Sequence, residues 1–259
     1  MSDHTHHHPA PAHEHGHGHD AHGHGHGHGH GHDDFAAANK AYFDEHADKL
    51  EEMHPEWREM SRKQVDTMRA EWPELFDKEH TEVLDFACGI GLVSEPLSQY
   101  VKSIVGVDIS PVSVDRYNAQ AARLGLSPEK MKAVCVELKG EPGELDGAKF
   151  DIVVCCASYH HFASIDDITR TLVSFLKPGG SLLVADIKAE ADNRELFPES
   201  HHGMVPHTHG IAEARLRETF EGAGLAAFVM KDAAKMDMKQ WGMEGKETTW
   251  FIARGVKQA

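Results

Sequence analysis

Short apolar runs alternate with amphipathic stretches along most of the chain, and this alternation predicts an α/β protein. Each run is rich in Val, Ile, Leu and Phe and is bounded by turn residues, as expected for strands that are buried in a parallel sheet. The segments between the runs have a helical period, which fits strand–helix–strand units. The predicted strands are Glu82 to Phe86, Ser103 to Val107, Met131 to Val136, Phe150 to Cys156, Ser181 to Ile187, Ala226 to Lys231 and Glu247 to Arg254.

Capping residues mark the start of two of the intervening helices. Ser110 is an N-cap followed by Pro111, and this pair predicts a helix that continues to about Leu124. Ser164, with Asp167 in the first turn, predicts a second start. The other predicted segments are a helix from Gly91 to Tyr100, an abbreviated crossover from Gly140 to Gly147, a turn from Lys177 to Gly180 that ends the helix after Ser164, a pocket-covering loop with a short helix from Lys188 to Gly210, and a helix from Ala212 to Ala223.

The chain before the first strand divides into a tail and two amphipathic helices. Residues 1–34 are mostly His and Gly, have almost nothing to bury, and are predicted to be disordered. Residues 35–259 are predicted to form one domain, with N-terminal helices at 35–73 and the α/β core at 81–255. The apolar stripes of the two helices are Tyr42, Phe43, Ala47 and Leu50 in the first, and Trp57, Met60, Val65, Met68 and Trp72 in the second.

Composition and charge exclude several classes of function. No apolar run approaches the roughly eighteen residues that span a bilayer, and the start lacks the features of a secretory signal. We therefore expect no membrane insertion and a cytoplasmic location. The formal net charge of -16 disfavours nucleic acid as a partner. The four cysteines, Cys88, Cys135, Cys155 and Cys156, lie in or beside predicted strands, so we expect small buried side chains in a reducing compartment.

The histidines of the tail are candidates for metal binding. Imidazole binds zinc, nickel and copper, and a flexible chain offers many sets of ligands. The alternative is a low-complexity extension with no role in the chemistry. No spacing typical of a zinc site is present elsewhere, so we expect no metal in the domain.

The candidate ligand site begins where the first strand ends. The run that closes with Asp85 and Phe86 is followed by Ala87-Cys88-Gly89-Ile90-Gly91, a turn of small residues that lets a ligand approach the backbone closely. About twenty residues later the second strand ends in Asp108, where an acid can accept hydrogen bonds from the hydroxyls of a ribose. The pattern predicts a nucleotide-like ligand.

These two anchors resemble motif I and its acidic follower in class I S-adenosylmethionine-dependent methyltransferases, and the resemblance extends from about Phe35 to Gly255. It implies a Rossmann-like, doubly wound sheet of seven strands with the last strand antiparallel and N-terminal helices over the cofactor. It also implies S-adenosylmethionine as cofactor and in-line methyl transfer to O, N or S of a small molecule, as in the quinone-biosynthesis methyltransferases. The cofactor-binding residues that it implies are Asp85, Ala87, Cys88, Gly89, Gly91, Asp108, Ile109, Glu137, Leu138, Cys155 and Tyr42.

One residue departs from the family pattern, because Ala87 replaces the first glycine of the turn. A positive φ at this alanine would cost roughly 1 kcal/mol, whereas a negative φ would cost nothing. An alternative is therefore a catalytically weak protein of this fold whose tail binds metal. A nicotinamide-dependent dehydrogenase is a further alternative, but its Gly-x-Gly-x-x-Gly pattern, counted from Gly89, places Ser94 at the third glycine.

Histidines after the fourth strand are the candidate general bases. His160 and His161 follow Tyr159, and an imidazole suits proton transfer near neutral pH. A structural role in capping or packing is the alternative for both. His207 and His209, in the predicted covering loop, are further residues that we expect near the same pocket.

Overall fold

A computed structural model of the protein describes residues 30–237 and 247–258. The strands are β1 Glu82–Phe86, β2 Ser103–Asp108, β3 Met131–Cys135, β4 Phe150–Cys156, β5 Leu176–Ile187, β6 Leu225–Asp237 and β7 Glu247–Lys257. These seven strands form one sheet in the order β3-β2-β1-β4-β5-β7-β6. Strands β1 to β5 are parallel, and β7 runs antiparallel to both of its neighbours, β5 and β6. This topology confirms the predicted fold.

Helices cover both faces of the sheet. They are α1 His30–His46, α2 Leu50–Met53, α3 Glu56–Glu71, α4 Ser94–Leu97, α5 Pro111–Arg123, α6 Ile165–Ser174 and α7 Glu213–Gly222, with short 3-10 turns at Pro73–Leu75, Glu144–Gly147, Tyr159–His161 and Glu199–His201. Residues of α6 and α7 pack in one cluster with β4, β5 and β7, and residues of α3 and α4 pack in another with β1 and β4. Within the described ranges, no helix combines the length and the apolar character needed to cross a bilayer.

The predicted caps form as expected. The Ser110 side chain accepts a hydrogen bond from the Ser113 N–H, and Pro111 occupies the first turn of α5. The Ser164 side chain accepts from the Asp167 N–H at the start of α6.

Several predicted boundaries were wrong. The helix expected from Gly91 to Tyr100 is reduced to α4, because Pro96 has no N–H to bond back along the chain and is tolerated only in a first turn. Strand β5 begins before the predicted turn at Lys177 to Gly180, and the turn is absorbed as an irregularity between the pairs Phe150–Leu176 and Ile152–Ser181.

Two expectations about exposure and order also need correction. Helix α1 begins at His30, inside the tail that was expected to be disordered, since extending a helix that is already anchored costs little. Cys135 is exposed rather than buried, because β3 is an edge strand of the sheet. The predicted metal-binding histidines before His30 lie outside the described residues.

The backbone turns sharply at the carboxyl ends of β1 and β4. Ala87 has a φ of +54° and Gly89 a φ of +51°, and across the β1–β4 pair Ala157 has a φ of +53°. An L-residue in this left-handed region is strained by about 1–2 kcal/mol. Ala87 therefore adopts the costly conformation.

Replacing Ala87 by Gly is expected to raise the free energy of unfolding by about 0.5–1 kcal/mol, because relief of the strain exceeds the entropy that glycine adds to the unfolded chain. Urea unfolding followed by circular dichroism measures the change. Ala70→Gly on the exposed side of α3 is the matched control and should lower stability by about 1 kcal/mol. If Ala87→Gly instead lowers stability as much as the control does, Ala87 is not strained.

Candidate active site

A cavity of about 470 Å³ lies at the carboxyl ends of β1, β2, β3 and β4. This is the edge at which open α/β sheets bind ligands, and the volume is within the usual range for small-molecule sites. Its floor consists of the segments that follow these strands. Its roof is lined by Phe35, Ala36, Asn39, Lys40 and Phe43 of α1, by Trp57, Met60, Ser61 and Gln64 of α3, and by Met236 and Trp250.

A hydrogen bond from the floor to Asp44 holds helix α1 over the cavity. Asp44 Oδ1 accepts a hydrogen bond from Ser110 Oγ at 2.6 Å, and its other oxygen pairs with Lys40 Nζ at 2.5 Å. These two contacts also hold the pKa of Asp44 below its usual range. Helix α1 is thereby fixed directly to the loop after β2.

Asp85 is a buried acid at the end of β1. Its carboxylate accepts a hydrogen bond from Ser94 Oγ at 2.6 Å. Burial raises the pKa of Asp85 to about 7, and the neighbouring Asp108 adds to the effect. No cationic group among the described residues contributes to the shifted pKa of Asp85, so a cation that enters the cavity would stabilise its charged form.

Asp108 joins the two loops of the first βαβ unit. Its Oδ2 accepts from the Gly89 N–H at 2.9 Å and its Oδ1 from the Ser110 N–H at 2.9 Å. Burial raises the pKa of Asp108, and the N–H donors of Ser110, Gly89 and Ile109 oppose that rise. The Asp108 carboxylate thus fixes the conformation of the turn after β1, with which it was predicted to bind one ligand.

Most of the residues predicted to bind cofactor line the cavity. Asp85, Ala87, Cys88 and Gly89 come from the first turn, Asp108 and Ile109 from the end of β2, and Glu137 and Leu138 from the segment after β3. A side chain at Gly89 would meet no heavy atom within 4 Å, so the cavity floor is open at that position.

Three residues predicted to bind cofactor are not among those that line the cavity. A Cβ at Gly91 would lie 2.9 Å from the Tyr117 ring, so this glycine permits close packing rather than ligand approach. Cys155 is fully buried in the opposite face of β4, and its neighbour Cys156 lines the cavity in its place. Tyr42 stacks on His46 with ring centroids 4.3 Å apart, while Phe43 of the next helical position faces the cavity.

His160 lines the cavity and forms a buried pair with Asp186 at the end of β5. Its Nδ1–H donates to Asp186 Oδ1 at 2.7 Å, and its backbone N–H donates to Oδ2 at 3.2 Å. Burial would raise the pKa of Asp186, but the attraction and hydrogen bonds of His160 hold it below the usual range. With Nδ1 committed to the carboxylate, Nε2 is the nitrogen left to accept a proton.

His161 also lines the cavity, but its environment differs. Its Nδ1–H donates to the Met204 carbonyl at 3.0 Å. Burial, helped by the adjacent His160, lowers the pKa of His161 to about 3. A ring that resists protonation so strongly is a poor general base at neutral pH. Of the two candidates, His160 is the one suited to proton transfer.

The other predicted pocket residues lie outside the cavity. His207 Nε2–H donates to the Phe162 carbonyl at 3.0 Å, and His209 Nδ1–H to the Asn193 carbonyl at 3.0 Å. The segment predicted to cover the pocket instead supports the roof from behind, where Leu196, Phe197 and Val205 pack with Met60 and Trp250. Among the described residues, no group of three or more His, Cys, Asp or Glu side chains is arranged to hold a metal ion.

The sequence prediction missed several residues of the site. Asp186, the partner of His160, follows the apolar run Leu182 to Ala185, and an acid after an apolar run is the signal that identified Asp85 and Asp108. Gln64 is a polar residue within the apolar stripe of α3. Asn39 and Trp250 gave no comparable signal, because their role depends on contacts between distant elements.

Comparison with known proteins connects this geometry to a family. The model of the methyltransferase domain family matches residues 57–228. An uncharacterized methyltransferase of Schizosaccharomyces pombe is 35% identical over 195 residues, covering 70% of this chain and 68% of that protein. The ubiquinone biosynthesis O-methyltransferase of Chelativorans is 34% identical over 109 residues, so the match spans 42% of this chain and 41% of that relative.

A solved structure has the same architecture. The magnesium protoporphyrin IX methyltransferase of Synechocystis, crystallised with bound S-adenosylmethionine, superposes with a TM-score of 0.61 at 17% identity, covering 87% of this chain and 98% of that one. The antiparallel β7 also distinguishes the sheet from the six-stranded parallel dinucleotide fold expected of a dehydrogenase. The chain therefore belongs to the class I S-adenosylmethionine-dependent methyltransferases.

Proposed function

We propose that the protein methylates a small molecule at oxygen, nitrogen or sulfur, and that His160 removes a proton from the acceptor where one must be lost. The observation that carries the proposal is the common cavity. Asp85 and Asp108 line one part of it, and His160, which is paired with Asp186, lines it at the turn after β4. The proposed donor site and the proposed proton acceptor thus share one cavity.

The residues present fit S-adenosylmethionine. Asp85 offers a poorly balanced carboxyl group to its ammonium, Asp108 offers carboxylate oxygens to its ribose, and Ile109 and Leu138 offer apolar contact to its adenine. Glu137, which lines the cavity after β3, is the proposed partner of the adenine amino group. When bound, S-adenosylmethionine supplies a methyl group that its sulfonium charge already activates.

The protein's contribution is then positioning and proton transfer. The roof helices exclude water and hold the acceptor near the strand ends, which favours in-line attack. Asp186 orients the His160 ring through Nδ1, so that Nε2 faces the acceptor as a base and Asp186 stabilises the charge that the ring gains. His161 stays neutral beside it and adds no competing charge.

A small acceptor fits the remaining features better than a polymer. The formal net charge of -16 opposes binding of polyanions. The similarity to a ubiquinone biosynthesis O-methyltransferase favours an acceptor of the quinone-biosynthesis kind. Free cysteines agree with the proposed cytoplasmic location.

Binding of S-adenosylmethionine tests the proposal. Isothermal titration of the full chain should show a saturable site, and Asp108→Ala should weaken it by about tenfold to a hundredfold, since hydrogen bonds to a charged group are lost. Asp115→Ala on the exposed side of α5 is the control and should bind like the wild type. An absence of binding at millimolar cofactor would favour the inactive, tail-centred alternative instead.

Asp85 should make stability fall as pH rises. Its pKa of about 7 in the folded protein exceeds the unfolded value of about 4, so between these values the folded state holds a proton that the unfolded state has lost. The destabilisation, on the order of a few kcal/mol, is absent below pH 4 and complete above pH 7. Asp85→Asn should be more stable than the wild type at pH 8 and should bind S-adenosylmethionine less tightly.

Urea unfolding at a series of pH values measures this effect, with Asp115→Asn as a control that keeps the wild-type profile. Parallel stability profiles for the wild type and Asp85→Asn would contradict the assignment.

The His160–Asp186 pair should matter most for acceptors that must lose a proton. With a phenol acceptor from a screen, Asp186→Asn and His160→Gln should each lower kcat at least tenfold and leave cofactor affinity unchanged. A neutral pyridine, which attacks through its ring nitrogen and has no proton to lose, should be affected much less. Asp232→Asn, at an exposed ion pair with Lys188, is the control. Equal losses for the phenol and the pyridine would indicate a structural role only.

A further inference from the structure

The cavity roof contains polar atoms that the protein leaves without partners. Asn39, Gln64 and Trp250 all line the cavity and are 7%, 1% and 6% exposed. Among the described residues, Asn39 Oδ1, Gln64 Nε2 and Trp250 Nε1 have no hydrogen-bond partner. Leaving buried polar atoms unpaired costs stability, so a cluster of them beside a cavity points to a ligand.

The orientation of Asn39 is fixed by its own contacts. Its Nδ2 donates to the Phe35 carbonyl at 2.8 Å and to the Met204 carbonyl at 3.0 Å. A flipped amide would point its oxygen at both carbonyls, so Oδ1 is the free atom and can only accept. His161 donates to the same Met204 carbonyl, which places Asn39 beside the His160–His161 pair.

Trp250 and Gln64 lie at the same end of the cavity. Trp250 packs in one cluster with Met60 and Phe197, and the Phe197 ring stacks on His160 with centroids 5.0 Å apart. Gln64 lies one helical turn beyond Met60 on α3. The Trp250 Nε1–H can only donate, so a ligand that pairs with it must present an oxygen or nitrogen acceptor.

The wall around these atoms is apolar and carries little charge. Phe43, Trp57, Met60 and Met236 form most of it. Lys40 is the charged residue among those of α1 and α3 that line the cavity, and Asp44 neutralises it. Such a wall would reject a charged acceptor, which would lose its hydration without gaining a counterion.

Building on the proposed function, we propose that Asn39, Trp250 and Gln64 recognise the methyl acceptor. The acceptor is a neutral, largely apolar molecule whose hydroxyl donates to Asn39 Oδ1 and whose second oxygen accepts from Trp250 Nε1, with Gln64 beside it. These residues select the substrate, whereas the His160–Asp186 pair acts on its proton.

Matched aromatic probes test the recognition. The full chain, saturated with S-adenosylhomocysteine, is titrated calorimetrically with naphthol, methylnaphthalene and acetylnaphthalene, each substituted at the same ring position. Asn39→Leu should reduce the affinity for naphthol, relative to methylnaphthalene, by about tenfold. Trp250→Phe should reduce the affinity for acetylnaphthalene by a similar factor, again relative to methylnaphthalene. Trp72→Phe and Gln120→Leu, outside the cavity, should change neither ratio.

Unchanged ratios in both cavity variants would overturn the proposal, as would a failure of all three probes to bind the wild type at their solubility limits. An equal loss for every probe would show that the residues merely support the wall. If Asn39→Leu does not fold, as judged by circular dichroism, Trp250→Phe still decides the matter. The probe titrations are also carried out without S-adenosylhomocysteine. If the wild type does not bind the cofactor, the proposed function is overturned, but the affinity ratios measured without it still test the acceptor subsite.

Discussion

The carboxylate of Asp108 is the contact on which the site is built. One oxygen holds the N–H of Gly89 in the turn after β1, and the other holds the N–H of Ser110 after β2. Ser110 in turn caps α5 and donates its hydroxyl to Asp44 of α1. Asp108 and Ser110 therefore connect the ends of β1 and β2 with the start of α5 and with α1 in the roof. Since the same carboxylate is the proposed ribose partner, ligand binding and the geometry of the roof are physically linked.

The site is also where the protein departs from what stability alone would favour. Asp85 is a buried acid whose charged form is disfavoured, Ala87 and Ala157 have a left-handed backbone, and the roof has unpaired polar atoms. Such features also occur away from the cavity, where Ser113 Oγ is unpaired among the described residues and Asn193 has a left-handed backbone. Those at the cavity differ because a bound ligand can offset their cost, as is typical of a functional site.

The fold was predictable because its signals are local. The apolar run of β1 and the Ser110-Pro111 cap each depend on a few neighbouring residues, and both form as predicted. The acids at the strand ends were predictable for the same reason, since parallel strands bring their carboxyl ends to one edge. Within the site, errors arose where a long-range contact decides the outcome. Tyr42 and Phe43 differ by one helical position, and only the docking of α1 onto the floor determines which of them faces the cavity.

The two adjacent histidines show why the chemical role of a side chain could not be predicted from the sequence alone. From the sequence, His160 and His161 are equivalent imidazoles in one short turn. In the fold, the Nδ1–H of His160 faces the carboxylate of Asp186, whereas that of His161 faces a neutral carbonyl. A carboxylate stabilises the positive ring that forms when Nε2 takes a proton, and a carbonyl in a buried site does so much less. The strand order, which places the end of β5 beside that of β4, thus gives His160 a carboxylate partner that His161 lacks, and this difference is why we propose His160 as the base.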